Sequence, residues 1–207
     1  ESSAASDVYK RQILVNDGDM AYGKVRLDEQ SLRTACEHID AFTDSLTRSQ
    51  ILSILWDMVR DGEVGASHYV DTALQALMVE THPMVVSVTL RNLDTCIESY
   101  LAVENRETVA QNVSSRLRML SRLAKADSDT QLQLVRAAAR RAHNPEDIAA
   151  SAALLNGSET LTGLRIDTEL RWNLLTSLAA VGHVDRATIE AELSNDDTVN
   201  GRERVLQ

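Results

Sequence analysis

From Asp28 onward the apolar residues return at three- and four-residue spacing, segment after segment, and the alternation that marks a half-buried strand is absent. Each such segment predicts an amphipathic helix that must bury one face against its neighbours. Polar punctuation sets the ends. Asp28 caps a helix carrying Leu32, Ala35, Cys36 and Ile39, and Leu46 to Arg60 forms a second with Ile51, Leu55, Met58 and Val59. Ser67 to Val79 is a third, and Pro83 opens a fourth that runs through Val86, Leu90, Leu93 and Ile97 to Leu101. Asn105 to Ala124 and a helix begun by Ser128 follow. Asn144-Pro145-Glu146-Asp147 joins a capping side chain, a first-turn proline and two acids at a helix start, and Asn156-Gly157 ends that helix.

The most fully specified segment is Asp167 to Gly182. Asp167 caps it, Glu169 suits the positive end of the dipole, and Gly182 suits a left-handed stop. Between them Leu170, Leu174, Leu178 and Val181, widened by Leu175 and Trp172, form an arc that needs partners on more than one side. The loop Ser158 to Ile166 keeps Leu161, Leu164 and Ile166 apolar, which predicts that it lies along the core, and Asp185 caps a last short helix through Ile189 and Leu193. Asn195 to Gly201 reads as a turn. Nine helices joined by short loops are expected, an all-α fold. No exact period of 33 to 47 residues repeats, so the expectation is an irregular HEAT-like array of antiparallel helix pairs, an α-solenoid with a concave face.

Upstream of Asp28 the pattern differs. Residues 2 to 12, Ser-Ser-Ala-Ala-Ser-Asp-Val-Tyr-Lys-Arg-Gln, match the in-frame translation of a sequencing-library adapter, so residues 1–12 are expected to be a disordered scar outside the fold. Ile13 to Val15, the turn-like Asn16-Asp17-Gly18-Asp19 and Ala21 to Leu27 read as one β-hairpin. A lone hairpin is marginal in water, so residues 13–27 are expected to be the end of a β-sandwich domain whose other strands lie upstream. The helical domain is then 28–207, truncated at its C-terminus.

Composition narrows the function. Apolar residues make up 43% and aromatics 3%, with two Pro and eight Gly, a balance that favours helix. A net charge of -10 argues against nucleic acid as a partner, because a phosphate backbone calls for a basic surface. No run of about 18 apolar residues occurs, so no membrane span is expected, and with no apolar leader the expected location is cytoplasmic. Cys36 and Cys96 stand apart without a C-x-x-C, which predicts buried thiols. The five histidines, His38, His68, His82, His143 and His183, form no H-E-x-x-H and no pair four apart, so no metal site is expected and each reads as a helix-end side chain. G-x-S-x-G, P-loop and G-x-G-x-x-G patterns are absent. Asp127, Asp129, Glu146 and Asp147 sit at helix starts, where the dipole accounts for them. No catalytic residue is identified. Arg171 beside Trp172 is the single candidate substrate-binding position: a guanidinium on an inner face holds a peptide carboxylate above a packed indole. The competing account is a core tryptophan next to an ion-paired or snorkelling arginine.

Three blocks carry a resemblance. They are Leu14-Val15-Asn16-Asp17-Gly18-Asp19-Met20-Ala21-Tyr22-Gly23-Lys24-Val25-Arg26-Leu27-Asp28; then Leu55-Trp56-Asp57-Met58-Val59-Arg60-Asp61; then Asp129, Gln131-Leu132, Asn144 to Asp147, Asp167 to Trp172 and Asp196 to Arg202. In order and spacing they resemble the ERAP-like helical C-terminal domain of the actinobacterial-type aminopeptidase N, a zinc-dependent gluzincin family. The resemblance implies a parent enzyme that releases N-terminal residues from peptides, with zinc held by H-E-x-x-H and a downstream Glu, and the substrate amine held by G-x-M-E-N. None of these motifs is in this chain, so no catalytic or metal residue carries over, and the zinc belongs to the parent. The implied partners are the catalytic domain of the same parent chain, which this domain covers, and the peptides whose access it limits. The rival expectation is a stand-alone helical-repeat module that binds a protein. A ligand-sensing domain of a regulator lacks a DNA-binding helix pair.

Overall fold

A computed structural model of the chain describes residues 23–193, 195 and 196. Among these there are nine α-helices and no strand: α1 (Glu29–Glu37), α2 (Ser45–Arg60), α3 (Ala66–Ala76), α4 (Pro83–Thr95), α5 (Val103–Leu123), α6 (Asp129–Arg140), α7 (Pro145–Asn156), α8 (Thr168–Ala180) and α9 (Arg186–Glu192). Most of the expected hairpin lies outside the described residues, and Gly23 to Leu27 form no strand. The expected turn at Asn195 to Gly201 also falls largely outside them.

The caps act as the polar punctuation requires. The carboxylates of Asp28, Asp44, Asp167 and Asp185, the hydroxyl of Ser128 and the amide oxygen of Asn144 each accept a backbone N–H in the first turn of α1, α2, α8, α9, α6 and α7 respectively. Gly157 ends α7 at φ 77, a left-handed conformation that costs glycine nothing.

α1 ends at Glu37, with Ile39 in a following 3-10 turn, and α5 begins at Val103, two residues before Asn105; two further boundaries differ for a visible backbone reason. α3 stops at Ala76 rather than Val79, because Met78 and Val79 donate to Gln75 and Ala76 in tighter turns that swing Glu80 inward. After α4 a π-type turn, Cys96–Tyr100, replaces the expected straight run, and Leu101 N–H donates to the Cys96 carbonyl at 3.1 Å. The wider turn keeps Cys96 and Ile97 buried and sets Tyr100 edge-on to Trp56, with ring centroids 5.5 Å apart.

By contacts the chain divides into two compact units, one ending at Arg106 and one beginning at Glu107, with the boundary inside α5. In the first, α3 packs against α1, α2, α4 and the π-type turn. Its core holds Ile39, Ile51, Leu55, Tyr69, Ala73, Val86 and Leu93. The second is built on α8, which packs against both α6 and α7. Leu170, Trp172, Leu174, Leu175 and Leu178 are all buried, so the arc of α8 is covered on more than one side.

The loop between α7 and α8 lies on that core, as its apolar residues predict: Leu161, Leu164 and Ile166 pack against Val135, Ala139, Leu170 and Leu174. Gln131, buried in α6, ties it down by donating to the carbonyl of Thr162 at 3.2 Å. Gly163 is required here. At φ +77, a Cβ on it would stand 2.5 Å from the Asp127 backbone nitrogen and 2.8 Å from the Ala126 Cβ.

Candidate functional site

The pair singled out in the sequence, Arg171 and Trp172, sits in the first turns of α8, and both side chains reach toward α9. Asp185 starts α9 by accepting the Thr188 N–H at 2.9 Å, and that places Glu192 opposite Arg171. Arg171 Nε and a terminal guanidinium nitrogen each donate to a Glu192 carboxylate oxygen at 2.7 Å, a two-pronged pair. Its other terminal nitrogen donates to the Leu155 carbonyl at 3.3 Å. The Arg171 hydrogen bond holds the Glu192 carboxyl below the usual carboxylate range, and Glu192 in turn raises Arg171.

Trp172 is 1% exposed, and its indole N–H donates to the Asp196 carboxylate at 2.7 Å. A buried indole N–H needs such a partner. Arg171 is therefore fastened to the last residue of α9, Glu192, and Trp172 to the turn that follows it. A peptide carboxylate would have to displace that partner. That Glu192 and Asp196 are the partners of Arg171 and Trp172 is not legible in the sequence, because acids 21 and 24 residues downstream have no spacing that points back to α8.

A second buried charge pair anchors the first unit. Arg48, in α2, donates through Nε to Glu80 at 2.8 Å, with side-chain exposures of 4% and 1%. Glu80 also accepts from the Ser45 hydroxyl at 2.7 Å and from the backbone N–H groups of Thr81 and His82, both at 2.8 Å. Burial is the largest single influence on this carboxyl and works against its ionisation. The bonds from Arg48, His82 and Ser45 together outweigh it and hold the group below its usual range.

A cleft of ≈ 480 Å³ in the same unit is lined by Cys36, His68 and the charged Glu29, Arg33, Glu37 and Glu63. Burial pushes the Cys36 thiol up, which makes it a poor nucleophile despite its histidine neighbour. Cys96 is buried, donates to the Ala66 carbonyl at 3.3 Å and is pushed up to about 11 by burial. Both are free thiols, although Cys36 is only partly buried. All five histidines are exposed, at or beside helix ends. No set of three His, Cys, Asp or Glu side chains among the described residues is placed to hold a metal ion. No described helix is long and apolar enough to cross a membrane.

Helices, caps and ion pairs of this kind position surfaces. What they position them for comes from relatives. The family model described as an ERAP1-like C-terminal domain matches residues 12–207. The chain belongs to that family. The ERAP1-like domain is also 40% identical over 189 residues to a protein named aminopeptidase N from Streptomyces lividans, an alignment that takes in 91% of this chain and 22% of that protein. It thus spans about a fifth of the length of that relative, and the resemblance read from the three sequence blocks is borne out.

Proposed function

We propose that the chain is the helical C-terminal part of a zinc-dependent aminopeptidase N, and that it lies over a preceding catalytic domain and governs which peptides reach it. The observation that carries this is the alignment itself: 91% of the chain accounts for only 22% of an aminopeptidase N, so most of such an enzyme lies in sequence other than this. The described residues do not fit a zinc site, since no three ligating side chains converge. In this reading the metal, with its activated water, is held upstream, and this chain supplies no catalytic group.

Other parts of the reading have their own support. Successive helices within each unit are packing neighbours, α2 with α3 and α4, and α6 with α7 and α8, as a HEAT-like array of helix pairs requires. Residues 13–27 fall within the span of the family match. Lys24 and Arg26 in that stretch pair with Asp61 and Glu63 in the turn after α2, so the entry to the helical part is held by charge. Two free thiols suit the reducing cytoplasm.

The test joins the chain to its complete reading frame. The full protein should release amino acids from aminoacyl anilides and from peptides, and the isolated chain should release none. Deleting the helical part from the full protein should alter the ranking of long peptides more than that of anilides. A reading frame with no H-E-x-x-H upstream of Ile13 would refute the proposal and favour a stand-alone interaction module.

A further inference from the structure

A second cleft in the first unit, of ≈ 330 Å³, opens between α2 and α4 and is lined without a single charged side chain. Its size is at the low end of those that take small ligands. Two carboxamides, Gln50 and Asn92, and the Ser53 hydroxyl face it, and Leu52, Val85 and Val88 make its apolar wall.

Tyr69, from α3, also lines this cleft, with 0% of its surface exposed. Its ring packs on Trp56 with centroids 5.2 Å apart. Among the described residues the hydroxyl has no hydrogen-bond acceptor, and the Asn92 amide lies beside it. Burial raises the phenol, so it stays a neutral donor. An unsatisfied buried hydroxyl is costly, and a ligand acceptor reaching the cleft floor would satisfy it.

We propose that this cleft binds an uncharged amide carried on an apolar stem. An amide presents an acceptor and donors in one plane, matching a phenol O–H and carboxamides that both donate and accept. The stem lies on Leu52, Val85 and Val88. No charged side chain lines the cleft to pair with a charged ligand, which would lose hydration on entry. The amide comes either from a side-chain carboxamide or from the main chain of a peptide. The proposal does not depend on what lies upstream of this chain, because it concerns binding to this unit alone.

The test is titration of the 207-residue chain, followed by amide NMR shifts on α2 and α4. The probes are N-acetylglutaminamide, a tetra-alanine blocked at both ends, and N-acetylglutamate as the charged control. A ligand of this size gives a dissociation constant of roughly 1 mM at ordinary ligand efficiency. Saturation by the glutamine amide alone assigns a side-chain carboxamide, and saturation by the blocked peptide assigns main chain; either supports the site. Tyr69→Phe keeps the ring and should weaken binding about tenfold, with a melting temperature no lower than the parent's because an unsatisfied hydroxyl is gone. Ser53→Phe, at an exposed position on α2, should block the cleft without disturbing the core. No saturable binding of either neutral probe, equal binding of N-acetylglutamate, or full binding by Tyr69→Phe would overturn the proposal.

Discussion

Replacing Glu80 by Gln removes one charge from the Arg48 pair and changes almost no volume. Among the described residues Glu80 is the carboxylate that Arg48 hydrogen-bonds, and its other bonds go to the Phe42 carbonyl and the Ser45 hydroxyl. Both are neutral, so Glu80→Gln leaves a guanidinium 4% exposed with no carboxylate bonded to it. Breaking a buried pair this way costs about 3–5 kcal/mol, a large share of the roughly 5–15 kcal/mol that holds a domain folded. Arg48→Met should cost less, because Glu80 keeps three donors, Ser45, Thr81 and His82. The double variant should be more stable than the sum of the two losses implies, by about 1–3 kcal/mol. Urea unfolding followed by Trp56 fluorescence, with Trp172 replaced by Phe in every protein, reports this unit alone. Acid supplies a second check. Glu80 has its pKa lowered on folding, so its contribution is complete above about pH 4.3, the unfolded value, and is lost as pH falls through the folded one. The gap between parent and Glu80→Gln should therefore close in acid. A loss below about 1 kcal/mol for Glu80→Gln at pH 7, or a gap independent of pH, would refute the reasoning.

Gly163→Ala should destabilise the second unit by more than about 2 kcal/mol, since it adds a methyl against the Asp127 backbone to the cost of a positive φ; a thermal melt measures it, and a change under about 0.5 kcal/mol would contradict the close approach. Arg171→Met should cost about 1–2 kcal/mol, less than a fully buried pair because the arginine side chain is 34% exposed, and should speed amide hydrogen exchange in α9. Asp196→Leu, which leaves the Trp172 N–H buried without its acceptor, should cost about 1–3 kcal/mol and shift the Trp172 emission. In the native protein Cys96, buried and pushed up to about 11, should resist alkylation at pH 8, and it should react fully once urea unfolds the chain. Rapid native labelling would show the packing around the π-type turn to be wrong.

Local order in this protein is written locally. Asp28, Asp167 and Asp185 reach N–H groups two or three residues away, and the leucines of α8 recur within one turn, so helix starts and buried faces follow from neighbouring residues alone. The apolar loop before α8 is legible for the same reason: Leu161, Leu164 and Ile166 have nowhere favourable to go except the core. What only packing decides is which polar groups meet across helices. Arg48 finds Glu80 across 32 residues and Arg171 finds Glu192 across 21. Tyr69 is carried by α3 to the floor of a cleft formed by two other helices. Such encounters depend on how helices are set side by side, which is governed by the summed fit of many side chains and leaves no periodic mark on the chain.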